Sequence, residues 1–530
     1  MTLTSPPSEL LPPPSPFNVK RRDFLVDAAR LAALTAVVPN DWRVVFRPRF
    51  ADDPFSLGVA CGDPTPNSTI LWTRLAPRPL EPDGGMSGLR VVVNWQVADD
   101  EHFTKIVNNG RATAAPELGY SIHVDAAGLE PDRWYFYRFT SADAVSPVGR
   151  LRTTPAAGAL TPLKFGVVSC NHWEQGYFTA YGHLAKEEVD LVTHLGDYIY
   201  EHGPAPITAT RPRAHASTEV RTLDQYRARY AQYKSDPLFQ AAHARCPWEI
   251  TWDDHEVDNN YADLVGENEM ESEEQMRTRR AAAYQAWWEH QPVRVPRARS
   301  WADLNITRTL EWGATARFWM LDTRQYRANQ ACDDGTKKVP CGDWENPTRQ
   351  FMGATAERWL EQGLSTSKER WQVIGNQSMA ATLDTAAGPE RDISMDSWSG
   401  YPAAQKRFID MLGRHAQNRS VVITGDNHAN WVNELRNDKG QSVATEFLGT
   451  SVSSGGDGSD RSNLFNDAVV AENPHVKWQN NRRGYFVCDV NGDTLRTEFR
   501  TVQYVSRPDA PVETPSKWRL TRGKAGVERE

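Results

Sequence analysis

The sequence predicts an α+β protein in two parts, a small N-terminal β-sandwich followed by a larger layered domain of strands and helices. Three observations carry that reading. The chain has 530 residues, more than one hydrophobic core of ordinary size organises. From Asp53 to about Thr154, short β-rich runs are broken by closely spaced turn residues. Beyond Thr154-Pro155 the texture changes, and β-rich runs alternate with helical stretches.

The N-terminal runs are Thr69–Thr73, Leu89–Val97 and Trp134–Thr140, rich in the β-branched and aromatic residues that suit a pleated surface. Asp63-Pro-Thr-Pro-Asn67, Pro82-Asp-Gly-Gly85 and Glu130-Pro-Asp132 punctuate them as turns. Their spacing over residues 50–154 predicts a sandwich of the fibronectin or immunoglobulin type. Within the third run, Trp134, Phe136 and Phe139 are set against Tyr135, Tyr137 and Arg138. In the second part, Leu163–Ser169, Val189–Leu195, Trp248–Trp252, Trp371–Ile374 and Ser420–Thr424 read as strands. Thr222–Arg245, Glu267–Glu289 and Thr348–Ser365 read as helices. This domain spans residues 160–505, and the polar stretch 506–530 reads as a C-terminal extension that wraps the domain or frays.

Ahead of both parts, Lys20-Arg21-Arg22-Asp23-Phe24-Leu25 precedes a mild apolar run, Leu31–Val38. A twin arginine before a short, weakly hydrophobic segment reads as a Tat export signal within residues 1–40, with an amphipathic first helix as the alternative. The Tat machinery is then a partner, and the periplasm or the exterior the destination. Nothing in the chain approaches the roughly 18 apolar residues of a permanent membrane span. A formal net charge of −8 argues against a protein that coats nucleic acid. Cys332 and Cys341 bracket a polar loop and are the best disulfide candidates in an oxidising compartment.

Five short polar motifs each follow a β-run directly. They are Ser169-Cys170-Asn171-His172, Gly196-Asp197-Tyr198-Ile199-Tyr200, Trp252-Asp253-Asp254-His255-Glu256, Gly375-Asn376-Gln377 and Gly425-Asp426-Asn427-His428. Ligand sites of layered α/β folds gather at the carboxyl ends of strands. A single Gly-Asp there is often a turn, but five motifs mixing carboxylate, imidazole, amide and thiol suit a site for two cations, one harder and one softer. No Gly-Lys-Ser/Thr phosphate loop and no Gly-x-Ser-x-Gly elbow is present, which removes a triphosphate-binding loop and weakens a serine hydrolase reading.

Gly-Asp-x-x-Tyr, Asp-His-Glu and Gly-Asp-x-His, taken in that order with Ser-Cys ahead of them, resemble the motifs of calcineurin-like metallophosphatases, and most closely those of the alkaline phosphatase D (PhoD-like) family. The resemblance runs from about residue 20 to 505 and also covers the β-sandwich and the Tat signal. It implies a layered αββα metallophosphatase domain and an exported phosphoesterase that works by a metal-activated hydroxide. It implies that Cys170, Asp197, Tyr200 and His428 hold Fe3+. Asp197 would bridge to Ca2+, held also by Asp254, Asp426 and an amide oxygen of Asn376 or Gln377. His255 would face the substrate and donate a proton. Asp253 competes with Asp254 for one position, and Asp254 is preferred because it directly precedes the His. The resemblance places His172 behind the ligands and gives the Asp322-Thr-Arg324 segment a supporting role. Asp396-x-Trp398 lines the entrance or packs the core.

The Ser/Gly-rich stretch 450–458 reads as a flexible loop near the site. Insertions at Gly203–Ser217 and Asn329–Asn346 are expected to set the width of the pocket. The resemblance implies a phosphate mono- or diester as substrate, such as a phospholipid or wall polymer. A phospholipase D acting on membrane lipid and a non-catalytic, metal-stabilised surface-binding protein are the rival readings. The extra His255 argues against the second, because a merely structural metal site has no use for it.

Overall fold

The β-rich runs of the second part pair into two sheets that lie face to face, as seen in a computed structural model that describes residues 50–267, 271–461 and 467–530. At the centre of the first sheet Leu163–Val168, Leu191–Leu195 and Trp248–Thr251 run parallel. Val476–Val490, Thr494–Val502 and Val512–Thr521 continue it antiparallel on one side. The second sheet runs from Arg308–Trp312 through Ala316–Met320, Trp371–Asn376 and Ser420–Thr424 to Ser442–Leu448 and Asn430–Arg436. Val476–Val490 joins both sheets, its first half pairing with Asn430–Asn433 and its second half with Leu163–Val167.

The two-residue period of a strand explains the layers. In Ser420–Thr424, Val421 and Ile423 point between the sheets with Phe165, Phe318, Phe447 and Phe486, while Val422 points outward. Outside the first sheet lie Leu223–Lys234, Pro237–Arg245 and Glu273–His290, packed through Tyr230, Phe239 and Trp287 against Trp248 and Trp252. Outside the second lie Gly353–Thr366 and Pro402–His415, with Leu360, Leu364 and Phe408 turned inward. The order is helix, sheet, sheet, helix.

The long helical stretch expected over 222–245 is two helices. Ser235 ends the first and Asp236 caps the second, its Oδ1 accepting from the backbone N–H of Leu238 at 3.0 Å, with Pro237 at the first helical position. Ser272 opens Glu273–His290 with a capping box.

In the N-terminal part, Val91–Ala98, Ile106–Ala114, Trp134–Ser141, Ala144–Val145 and Gly149–Arg152 form a separate sheet. Val59–Thr65, Ser68–Arg74 and Ser121–Ala127 face it across a shared core that includes Leu71, Val93, Ile122 and Tyr137. These three strands also extend the first central sheet, through the pairing of Gly62 with Trp248. A Cβ at Gly62 would stand 2.4 Å from the Trp248 carbonyl oxygen, so only glycine permits this approach. The N-terminal strands are therefore continuous with the sheet that follows them. On Trp134–Ser141 the buried face is Tyr135, Tyr137 and Phe139, whereas Trp134 and Phe136 lie on the half-buried face with Arg138. Strict alternation overrides the grouping by residue type.

Two further expectations meet the structure here. The segment 506–530 is no frayed extension, because Val512–Thr521 pairs along Thr494–Val502 and buries Trp518 and Leu520 between the sheets. Cys332 and Cys341 are bonded. The proposed Tat signal lies outside the described residues, and no described helix is long and apolar enough to cross a membrane.

One cation ties the N-terminal strands to the sheets. The Arg308 guanidinium stands 3.0 Å from the buried carboxylates of both Asp63 and Glu249 and donates to the Ile250 carbonyl at 2.9 Å. Arg308→Ala removes the partner of two buried acids and is expected to cost about 3–5 kcal/mol. Urea unfolding measures it, and a loss below about 1 kcal/mol would show that Glu249 holds its own proton and needs no cation.

Candidate metal centre

The parallel strands all end on the same side, so the loops after them converge. Backbone turns there are sharp. Cys170, Asp197, Asp426 and His428 all have left-handed φ, between 55° and 64°. A side chain in that region costs on the order of 1 kcal/mol, and four of them gathered at one place mark a functional site. Glu256 holds two of the loops together. Its carboxylate accepts the backbone N–H groups of Tyr198 at 2.7 Å, Asp253 at 2.9 Å and Asp197 at 3.1 Å.

Three groups of side chains each bring their ligand atoms within 4.8 Å of one another: Cys170 with Asp197 and His428; Asp197 with Asp254 and His255; Asp253 with Asp254 and Asp426. Asp197 and Asp254 each belong to two of them. The Tyr200 hydroxyl joins the first group, donating to Asp197 Oδ2 at 2.9 Å and lying 3.1 Å from His428 Nε2. Ser454 Oγ stands 2.7 Å from that hydroxyl. A fourth group, Glu201, His202 and His255, borders the second.

The electrostatics ask for cations. Burial, and then neighbouring carboxylates, push the acid groups of Asp197 and Asp426 well above their usual range. Burial and Asp197 do the same to the Cys170 thiol and the Tyr200 phenol. Burial holds His428 neutral, down to about 3, with Arg483 adding to the effect. A neutral imidazole is the form that binds metal. Asp197 Oδ1, Asp253 Oδ2 and Asp254 Oδ1 are buried without a hydrogen-bond partner. Such atoms are expensive unless something positive meets them. The donors present fit metal ions: thiol, phenol and imidazole beside Asp197, and carboxylates around Asp254 and Asp426 with His255 at their border.

Around His255 the balance differs. Burial opposes its charge, but Glu201, Asp254 and Asp197 outweigh burial and hold the imidazole protonated well above its ordinary range. Its Nδ1 bonds Glu201 Oε2 at 2.8 Å, and despite its own burial Glu201 is held down to about 2 by that imidazolium.

Residues 165–499 match the PhoD-like phosphatase family, and residues 41–155 match its N-terminal domain. The chain is 43% identical to alkaline phosphatase D of Bacillus subtilis (strain 168) over 519 residues, 96% of this chain and 88% of that protein.

This chain belongs to the PhoD-like phosphatase family.

It is an enzyme of the phosphatase class. A solved structure of PhoD superposes with a TM-score of 0.88 at 44% identity, covering 91% of this chain and 93% of that one. A purple acid phosphatase from yellow lupin (Lupinus luteus) seeds shares the fold at a TM-score of 0.54 and 11% identity, covering 89% of this chain and 75% of that one.

Against the motifs of this PhoD-like chain, the geometry brings Cys170, Asp197, Tyr200, Asp254, His255, Asp426 and His428 together. Asp253 is not displaced by Asp254. It stays in the carboxylate group with Oδ1 bound by Arg324 Nε. The two amide residues differ. Gln377 commits its oxygen to Thr323 and its NH2 to Thr251 and Leu321, tying strand ends together. Among the described residues, Asn376 Oδ1 accepts only the Trp398 indole N–H, at 2.9 Å. Trp398 packs the core between Phe351 and Phe408. His172 lies outside the ligand groups and stacks on His215.

The serine stretch corrects the expectation of a flexible loop. Ser451, Ser453 and Ser454 are buried, and Ser453 and Ser454 hydrogen-bond to the carbonyls of His172 and Cys170.

Sequence reasoning missed Glu201, which directly follows the motif ending at Tyr200, and the bracing role of Glu256, which sits inside the motif after His255. It also missed Arg483, whose guanidinium donates to the His428 carbonyl across the fold.

Glu256→Ala strands three buried N–H groups, at about 1–3 kcal/mol each in the unrelaxed limit. A lower thermal midpoint with fewer metal ions retained per chain is expected from calorimetry and elemental analysis of the purified variant. Full metal content would leave Glu256 with a stabilising role alone.

Proposed function

We propose that this phosphatase hydrolyses phosphate mono- or diesters at a two-cation centre. Cys170, Asp197, Tyr200 and His428 hold Fe3+. Asp197, Asp254, Asp426 and the Asn376 amide oxygen hold Ca2+, which requires the Trp398 indole to release that oxygen; Gln377 is the weaker candidate because both its ends are occupied. The observation that carries the reading is the sharing of Asp197 and Asp254 between neighbouring ligand groups.

Bound cations would draw the phosphoryl oxygens in, make a water acidic enough to ionise near neutral pH, and balance charge gathering on phosphorus. The chain's own residues do the rest. Asp197 stands between the ligand groups and fixes their separation. Glu201 holds His255 Nδ1, which leaves the other ring nitrogen free to donate a proton to the departing ester oxygen. Glu256 keeps the Asp197 and Asp253 loops in register while this happens.

The wider assignment follows the same reading. Residues 50–154 form an accessory sandwich of fibronectin or immunoglobulin type, 160–505 the αββα metallophosphatase domain, and 506–530 its C-terminal completion. A Tat signal within residues 1–40 sends the folded, metal-loaded enzyme out of the cytoplasm, where it meets phosphate esters of lipids or wall polymers.

Hydrolysis of a chromogenic phosphodiester by the purified protein tests the core of the proposal. Activity is expected to vanish on chelation and to return with calcium, and activity that survives complete metal removal would refute a metal-dependent reaction. His255→Ala is expected to keep both metals and lose turnover by about 10²–10⁴-fold. Undiminished turnover would confine His255 to a structural role.

A further inference from the structure

A cavity of about 280 Å3 opens beside the centre, with Asp426 and Asn427 forming part of its wall. The two-stranded ribbon of Thr336–Val339 and Arg391–Ser394 also borders it, its paired residues Thr336 and Ser394 both lining the cavity. The next residue along, Ile393, points the other way into a small core with Val339 and Trp344. Met379, Leu383 and Trp431 supply apolar surface. Ser397 and Asn481 add neutral hydrogen-bonding groups, and among the described residues no Lys or Arg lines the space.

Its position relative to His255 assigns its use. Asp254 belongs both to the group with Asp197 and His255 and to the group with Asp253 and Asp426. The cavity therefore opens on the Asp426 side of Asp254, while His255 stands on the Asp197 side. A proton donor belongs beside the oxygen that leaves. Space on the opposite side belongs to a substituent that stays on phosphorus.

The geometry points to this cavity as the subsite for the retained arm of a phosphodiester, and it takes an uncharged organic group with one apolar face and one hydrogen-bonding edge. The assignment rests on the proposed hydrolysis with His255 as proton donor and deepens it by naming the substrate class. Its volume is near the lower end for ligand pockets and suits one aryl ring or one polyol unit. An arm with a further negative charge would find no Lys or Arg among the described lining residues, so the lining favours an uncharged one.

The test compares two chromogenic diesters that share one leaving group, bis(p-nitrophenyl) phosphate and methyl p-nitrophenyl phosphate, with the full metal-loaded chain. Ser394→Trp places a ring in the cavity, and the ratio of kcat/KM for the bulky over the small retained arm is expected to fall about tenfold or more.

Leu383→Lys reads the same site with the opposite sign. It is expected to raise kcat/KM for a retained arm bearing a carboxylate, relative to its uncharged counterpart, by about tenfold. Ratios equal to those of the unmodified protein in both variants, with the esters still turned over, would overturn the subsite while leaving the hydrolysis proposal standing. An unmodified protein that hydrolyses neither diester but cleaves p-nitrophenyl phosphate would overturn the subsite and leave the hydrolysis proposal standing for monoesters, and one inactive on all three would overturn both.

Discussion

Four carboxylates, Asp197, Asp253, Asp254 and Asp426, meet where the strands end, and three of them are buried almost completely. In a medium of low polarity such charges repel one another strongly and lack the water that would screen them. Among the described residues, Arg324 supplies the only guanidinium that the ion pairs bring to this group. It binds Asp253 directly and stands 3.7 Å from Asp254 Oδ2 and 3.9 Å from Asp426 Oδ1. Arg324 also contacts Asp396 at 2.8 Å, an acid it shares with Arg327 at 2.6 Å, so little of its charge is left over for the centre. The remaining imbalance is what makes the centre a place for cations.

Everything around the acids works to keep them there. Parallel strands deliver the loops to one edge, and Glu256 clamps two of those loops by their backbone N–H groups. Left-handed turns at Asp197, Asp426 and His428 aim the side chains inward at a conformational cost that the packed sheets sustain. On the opposite flank the buried serines after residue 450 brace Cys170 and Tyr200, and Arg483 braces His428. The site is thus preorganised by hydrogen bonds that arrive from distant parts of the chain, as a centre for charge stabilisation requires.

The same logic divides the two sides of the centre. Thiol, phenol and imidazole stand together on one side, carboxylates on the other, and His255 with Glu201 forms a proton-bearing pair at the border. Two environments in one centre hold one imidazole neutral and another charged: burial, and then Arg483, keep His428 neutral, whereas the carboxylates around His255 outweigh its burial.

Local patterning in the sequence determined much of this. The β-rich runs and the polar motifs directly after them located the five strands that end at the site and most of the residues grouped there, because strand period and strand-end chemistry are properties of a few adjacent residues. The order of those motifs also carried the family. Tertiary structure decided the rest. Whether Gln377 ties strands or offers an oxygen depends on Thr251, Leu321 and Thr323, none of them its neighbours in the chain. That the N-terminal strands continue the central sheet depends on one glycine reaching Trp248, and that the last strand buries Trp518 depends on an edge left open by Thr494–Val502. Those contacts join residues far apart in the chain, and only folding sets their distances.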